Sequence, residues 1–264
     1  MKIARFAHRG VVKHGVVEAD RVRVIRGLPW EPAEYTGEAA ALADVRLLAP
    51  VAPPDVIAVG LNYRRHADET GMKYPPAPLI FLKATSSVIG PNEEIVLPAM
   101  APSEVDYEAE LAIVIGRACR RVSEAAARPY IGGYTCANDV SARDCQHRLD
   151  RQWARGKSFD TFCPLGPWIE TDMDGDRAGI SLRLNGKVMQ DSDTSDLIFS
   201  CDRLVSYCSQ FATLRPGTVI LTGTPSGVGY ARQPPVFLRP GDVVDVTIAG
   251  LGTLRNPVTA EQAP

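Results

Sequence analysis

The sequence predicts a mainly β (α+β) fold, and three observations carry that expectation. The 22 glycines and 21 prolines are spread along all 264 residues as turn punctuation rather than gathered in one linker. Between them recur short apolar runs and stretches that alternate apolar with polar residues, as in Arg21-Val22-Arg23-Val24-Ile25. Helical periodicity, by contrast, is confined to three short places.

Taken in order, residues 2–26 read as small antiparallel hairpins, with glycines at Gly10 and Gly15. Residues 28–54 lose the alternation and fill with Pro, Glu and Ala. This places a small N-terminal β domain at 1–54, a second, larger β domain at 55–264, and a soft boundary near Pro53-Pro54. Residues 56–60 and 79–83 read as short buried strands on either side of a polar, Pro-rich insert, 62–78, expected to be mobile. Further strands are expected at 108–115, 181–190, 218–222 and 243–248, with Asn185-Gly186 as a type I′ hairpin turn. The helices are expected at 123–128 with Ser123 as N-cap, at 141–153 with Ser141 as N-cap, and at 200–211. In the last of these, Leu204, Val205, Cys208 and Phe211 share a face. The near copies Leu214-Arg215-Pro216-Gly217-Thr218-Val219 and Leu238-Arg239-Pro240-Gly241-Asp242-Val243 each launch a strand from a Pro-Gly turn.

Composition removes several classes of function. A 45% hydrophobic content excludes a disordered chain. With 29 Lys+Arg against 31 Asp+Glu and a net charge of −2, there is no basic footprint for nucleic acid. No apolar run approaches the roughly 18 residues that span a bilayer. The first residues interleave charge with apolar side chains, unlike a signal peptide, so a cytoplasmic protein with no membrane partner is expected. Six cysteines at irregular spacings, without a Cys-x-x-Cys pair, fit reduced structural thiols better than a disulfide frame or zinc site.

The chemistry-bearing residues begin at Asp106-Tyr107-Glu108-Ala109-Glu110-Leu111. Strand alternation puts Glu108 and Glu110 on one face, about 6.6 Å apart along the strand. If that face is buried, the two carboxylates need a cation, and Mg²⁺, Mn²⁺ or Ca²⁺ suits all-oxygen ligands; an exposed edge strand would leave them solvated. Asp139 stands where a strand meets a capped segment, either facing a cleft or favouring a helix dipole. His66 and Glu69, three apart in a helical stretch, would share a face, so that the carboxylate orients the imidazole and raises its basicity. The segment Gly223-Thr224-Pro225-Ser226-Gly227-Val228-Gly229 follows a strand and offers backbone amides that could cradle a carboxylate, or simply makes a turn. It is no nucleotide loop, since no Gly-Lys-Ser/Thr follows.

Together, Gly60-Leu61-Asn62-Tyr63-Arg64-Arg65-His66-Ala67-Asp68-Glu69, Phe81-Leu82-Lys83, the Asp106 to Leu111 run, Asp139-Val140-Ser141-Ala142-Arg143-Asp144, Gly156-Lys157-Ser158-Phe159-Asp160 and the Gly223 to Gly229 loop resemble the fumarylacetoacetate hydrolase family. The likeness keeps the family's order from about Asp55 to Pro257. It implies a catalytic domain of sheets rolled into a sandwich-like barrel, acting as a homodimer. It also implies one Mg²⁺ or Mn²⁺ on Glu108, Glu110 and Asp139, and 2-oxo acid substrates that chelate it through carboxylate and keto oxygens.

By the same likeness, His66 and Glu69 activate water on a lid. Arg143, Gln146 and Lys157 act on developing negative charge and on protons, while Lys83, Thr224 and Gly223 bind substrate. The reaction implied is hydrolysis of an acylpyruvate-type 2,4-dioxo acid to pyruvate and a carboxylic acid. Oxaloacetate decarboxylation and 2-hydroxyhepta-2,4-diene-1,7-dioate isomerisation are the alternatives on the same site. A non-catalytic, metal-stabilised binding module is the distant one, which the three acids alone permit but which would need neither the His66/Glu69 pair nor the lysines. Asp196-Leu197-Ile198-Phe199 departs from the family, whose members often carry Met before Ile-Phe.

Overall fold

The computed structural model describes residues 1–262. Its largest element is a 12-stranded mixed sheet in which ten strands run Glu34–Ala41, Arg21–Arg26, Val11–Glu18, Lys2–His8, Cys163–Glu170, Ile131–Asn138, Ala109–Ile115, Val219–Leu221, Val56–Val59 and Ile80–Lys83. Arg46–Leu47 and Val88–Ile89 pair beside this path. A five-stranded sheet, ordered Lys187–Asp193, Gly179–Leu184, Val243–Ile248, Gly252–Ala260 and Ile95–Leu97, covers the central strands. Its inner residues Ile180, Leu182, Val244, Val246 and Leu254 interdigitate with Leu111, Ile113 and Cys136 in the main core. The opposite face of the same strands is buried as well, through Ala112, Val114, Leu165, Val219 and Leu221. Ala109–Ile115 is therefore buried along its whole length, and a charged residue on it lies in low dielectric.

The N-terminal hairpins form as expected and join the sheet directly, since Lys2 pairs with Glu170 and Ile3 with Ile169. Within 28–54, where the pattern fades, the structure places the strand Glu34–Ala41. It is an edge strand with most of its residues exposed, so no apolar alternation was needed to form it. The Asn185-Gly186 turn forms with both residues at positive φ, 52° and 81°, the geometry of a type I′ hairpin. The helix Cys201–Phe211 also forms, capped by Ser200, whose Oγ accepts from the Arg203 amide at 3.2 Å.

Two helical expectations fail for local reasons. Residues 123–130 make two separate 3₁₀ turns, Glu124–Ala126 and Arg128–Tyr130, and the Ser123 side chain caps neither. Ser141 is not an N-cap but pairs as a strand residue with Asp106, and its hydroxyl donates to the Asp139 carbonyl at 2.8 Å. Beyond it the chain takes one π-turn, Cys145–Leu149, and then, after Arg151 at φ 56°, a short helix, Trp153–Lys157. A non-glycine residue at positive φ ends the first turn and re-aims the second, which carries Lys157 back toward the strands.

All six cysteines are buried and free. No helix among the described residues is long and apolar enough to cross a membrane. The insert after Val56–Val59 contains the helix Arg64–Thr70, and the root of that helix is fixed by buried Asn62. The Asn62 amide donates to the carbonyls of Phe199 at 3.1 Å and Thr222 at 2.7 Å, and its oxygen accepts from the Phe199 amide at 2.8 Å. Replacing Asn62 with Ala strands the buried Thr222 carbonyl and both backbone groups of half-buried Phe199. The expected cost is about 2–3 kcal/mol, read as a lower urea midpoint with an unchanged m-value.

Candidate active site

Strand pairing builds the centre of the site. Ala109 pairs with Asn138 and Glu110 with Ala137, and the Asp139 amide donates to the Glu108 carbonyl at 2.9 Å. That register brings Glu108, Glu110 and Asp139 together at the ends of two neighbouring strands. One carboxylate oxygen from each lies within 4.8 Å of the others, and all three residues are buried. The alternative of a solvated acidic edge is thereby removed.

Three cations reach the same point from elsewhere in the chain. Lys83, on Ile80–Lys83, bonds Asp139 Oδ1. Lys157 Nζ donates to Asp139 Oδ2 at 2.6 Å and to Glu108 Oε2 at 2.7 Å. Arg143 Nη2 donates to Glu108 Oε1 at 2.6 Å, while its Nη1 donates to Gln146 Oε1 at 2.8 Å and so orients that side chain. Burial works against charge on Glu108, but Lys157 and Arg143 outweigh it and hold the carboxyl below its ordinary range. Lys157 is buried too, yet Asp139 and Glu108 raise it, so it stays protonated.

Glu110 is the exception. Burial, then Asp139 and Glu108, push its carboxyl well above the usual carboxylate range, and the Gly223 amide, at 2.7 Å from Oε2, compensates only partly. Three clustered oxygens with one carboxylate left uncompensated fit a hard divalent cation, because such an ion takes oxygen ligands and supplies the missing positive charge.

The helix Arg64–Thr70 brings His66 and Glu69 together, with His66 Nδ1 at 3.2 Å from Glu69 Oε2. Glu69 is held in turn by the Gly227 amide, at 2.9 and 3.1 Å from its two oxygens. His66, Glu108, Arg143, Gln146 and Lys157 line one cavity of about 570 Å³. Lys83, Glu110, Asp139 and Thr224 lie buried outside its lining.

The glycine-rich loop differs from the expected substrate cradle. Its Gly223 amide serves Glu110, its Gly227 amide serves Glu69, and the amides of Gly229 and Tyr230 serve Asp106 at 2.8 and 3.0 Å. These donors are spent on carboxylates of the chain itself, so Gly223 supports a candidate ligand instead of offering its amide to substrate. The Thr224 hydroxyl oxygen accepts from Gln190 at 2.8 Å, which leaves its proton to donate.

Asp106 and Gln190 are the residues that the sequence reading left without a role. Asp106, fully buried, accepts from Arg143 Nε and Nη2 at 2.9 and 2.8 Å and from the two loop amides. Gly229 is required beside it, since a Cβ there would lie 2.6 Å from Asp106 Oδ1 and closer still to the Val236 carbonyl. Asp106 has the same strand parity as Glu108 and Glu110, and that parity was its available signal. Gln190, also buried, accepts from the Ala109 amide at 2.8 Å and donates to Thr224 and to the Pro225 carbonyl. Nothing local in the sequence marks it.

A β framework that gathers three clustered carboxylates able to hold a metal ion, buried lysines and a His/Glu pair around one cavity has the layout of a small-molecule enzyme site. The comparisons give the particular family. The profile described as fumarylacetoacetate (FAA) hydrolase C-terminal matches residues 55–259, and one described as Rv2993c-like, N-terminal, matches residues 1–50. The chain belongs to the fumarylacetoacetate hydrolase family.

A mitochondrial oxaloacetate tautomerase of Rattus norvegicus is 47% identical over 220 residues, covering 82% of this chain and 70% of that protein. A 2,4-didehydro-3-deoxy-L-rhamnonate hydrolase of Sphingomonas sp. is 41% identical over 275 residues, covering 98% and 96%. The crystal structure of a 5-carboxymethyl-2-hydroxymuconate delta-isomerase from Mycobacterium smegmatis superposes with a TM-score of 0.90 at 47% identity, covering 99% of this chain and all of that one.

Two outcomes follow from the geometry. Mn²⁺ titrated into the protein is expected to bind once per chain, and Glu110→Ala to weaken that binding at least about tenfold, as read by calorimetry. Asp106→Ala leaves buried Arg143 and three amides, those of Tyr107, Gly229 and Tyr230, short of a partner. It is expected to cost about 3–5 kcal/mol, measured by chemical unfolding.

Proposed function

We propose that this protein is a divalent-metal-dependent hydrolase of 2-oxo acids that cleaves the C3–C4 bond of an acylpyruvate-type 2,4-dioxo acid, giving pyruvate and a carboxylic acid. The observation that carries the reading is the His66–Glu69 pair, with His66 lining the same cavity as Glu108, Arg143 and Lys157. When bound, a Mg²⁺ or Mn²⁺ ion on Glu108, Glu110 and Asp139 supplies Lewis-acid stabilisation of negative charge on the 2-oxo acid.

The chain's own residues do the rest. Glu69 keeps the imidazole proton on Nδ1, so His66 Nε2 is the basic nitrogen and takes a proton from water as the water oxygen attacks C4. The C3–C4 bond breaks, and its electron pair remains on C3, delocalised onto the C2 oxygen as an enolate. The proton held on Nε2 returns to C3 to complete pyruvate, and the released carboxylic acid ionises. Lys157, kept protonated by Asp139 and Glu108, sets positive charge beside the developing negative charge. Arg143 adds a second such charge and aims Gln146. Lys83 neutralises Asp139, and the free Thr224 proton suits the substrate carboxylate.

A second reading is proton transfer between the keto and enol forms of oxaloacetate. It is supported by the oxaloacetate tautomerase relative and by Lys157, a buried proton donor at the same site. It requires no attacking water, so one assay separates the two.

Loss of the enol absorbance of acetylpyruvate with Mg²⁺ or Mn²⁺, abolished by EDTA, is expected. His66→Ala is expected to lower kcat by roughly 10²–10⁴-fold while Mn²⁺ binding persists. Full activity in His66→Ala would remove the water-activating role. Enol–keto exchange of oxaloacetate without any acetylpyruvate cleavage would move the assignment to the tautomerase.

A further inference from the structure

The cavity beside the carboxylates, at about 570 Å³, exceeds what the head of a small 2-oxo acid fills, and its remaining wall is mostly apolar, with Thr70, Lys73 and His147 as the polar exceptions. Met72, Pro75, Pro76, Pro78, Leu79 and Trp153 line it. All but Trp153 belong to the segment that follows the helix Arg64–Thr70. Met72 and Leu79 retain 47% and 48% exposure although both face this cavity. Apolar side chains left open around one concavity mark surface that a ligand covers.

Gly60 makes this wall continuous. A Cβ there would lie 2.9 Å from both Leu79 Cδ2 and Trp153 Cζ3, so the two side chains close over bare backbone. The Trp153 ring is braced edge-on by Phe81, with centroids 5.6 Å apart. Three prolines within four residues restrict the backbone of the wall, and a wall already ordered loses little entropy when it is covered.

Positive charge is scarce along it. Arg143 and Lys157 are committed to Asp106, Glu108 and Asp139. Lys73 is the remaining lysine on the lining; it is exposed, where water screens an ion pair with a ligand carboxylate. His147 lies against Tyr230, with ring centroids 5.1 Å apart, and extends the ring surface.

We infer that the site selects 2-oxo acids whose far end is an uncharged apolar tail of several carbons or an aromatic ring, with Met72, Leu79 and Trp153 as the specificity-determining residues. This rests on the reading that the 2-oxo acid head sits at the three carboxylates.

The test uses 2-oxo acids that hydrolysis cannot cleave, titrated calorimetrically into the Mn²⁺-loaded protein: pyruvate, 2-oxobutanoate, 2-oxohexanoate, 2-oxo-4-phenylbutanoate and the dicarboxylate 2-oxoadipate. Affinity is expected to rise about threefold per added methylene, and 2-oxohexanoate to bind at least about tenfold more tightly than 2-oxoadipate. Met72→Ser and Leu79→Ser, at positions open enough to accept the change, should each shrink the ratio of 2-oxohexanoate to pyruvate affinity by about threefold or more. Equal affinities along the series, a preference for 2-oxoadipate, or ratios unmoved by both substitutions would overturn the inference. Tail preference without acylpyruvate cleavage overturns only the hydrolase reading, cleavage without tail preference overturns only this inference, and failure of every acid to bind overturns both.

Discussion

Four carboxylates, Asp106, Glu108, Glu110 and Asp139, stand together with almost no solvent, and water cannot pay for their charge. In a low-dielectric interior each needs a partner of its own, or it gives up its proton-free form. Most of the long-range polar contacts near the site answer that demand. Arg143 bridges Asp106 and Glu108, Lys157 bridges Glu108 and Asp139, and Lys83 closes the other side of Asp139. Three cations against four anions leave a deficit, which falls on Glu110. The site is thus built with a positive charge missing at the place where three oxygens already converge.

The backbone supplies a second layer of compensation. One loop, from Gly223 to Tyr230, donates amides to Glu110, Glu69 and Asp106. It thereby links a candidate metal ligand, the residue that orients His66 and the anchor of Arg143. Gln190 fixes the same loop from the five-stranded sheet through Thr224 and Pro225. The two sheets therefore meet twice, through apolar side chains in the core and through a hydrogen-bonded loop at the site.

What the sequence discloses and what it conceals follow from range. Features set by neighbours along the chain are legible: the Asn185-Gly186 turn, the helix at 200–211, the shared parity of Glu108 and Glu110, and the three-residue spacing of His66 and Glu69. The resemblance extended this to Lys83, Arg143, Gln146 and Lys157, which no local pattern distinguishes from ordinary surface polar residues. Features set by distant partners are not legible. Ser141 has the chemistry of an N-cap, yet pairing with Asp106 makes it a strand residue. Gln190 and Asp106 acquire their roles only once the loop at 223–230 folds beside them, and Glu34–Ala41 is a strand because its neighbour offers an edge. The loop amides were visible as donors, but the acceptors that claim them were not.

The apolar wall of the cavity bears on how such an enzyme can diversify. Residues 73–78 contribute no carboxylate, lysine partner or strand pairing to the four-acid cluster, and the segment is pinned at its ends by the Met72 amide on the Ala67 carbonyl and the Gly60 amide on the Leu79 carbonyl. Its length and side chains can drift between those pins without disturbing a single charge in the interior. Under the proposed reading, that stretch of wall can be re-tailored by editing a few prolines, while Trp153, on the same short helix as Lys157, and the charged cluster stay locked by the cost of unbalancing buried charge.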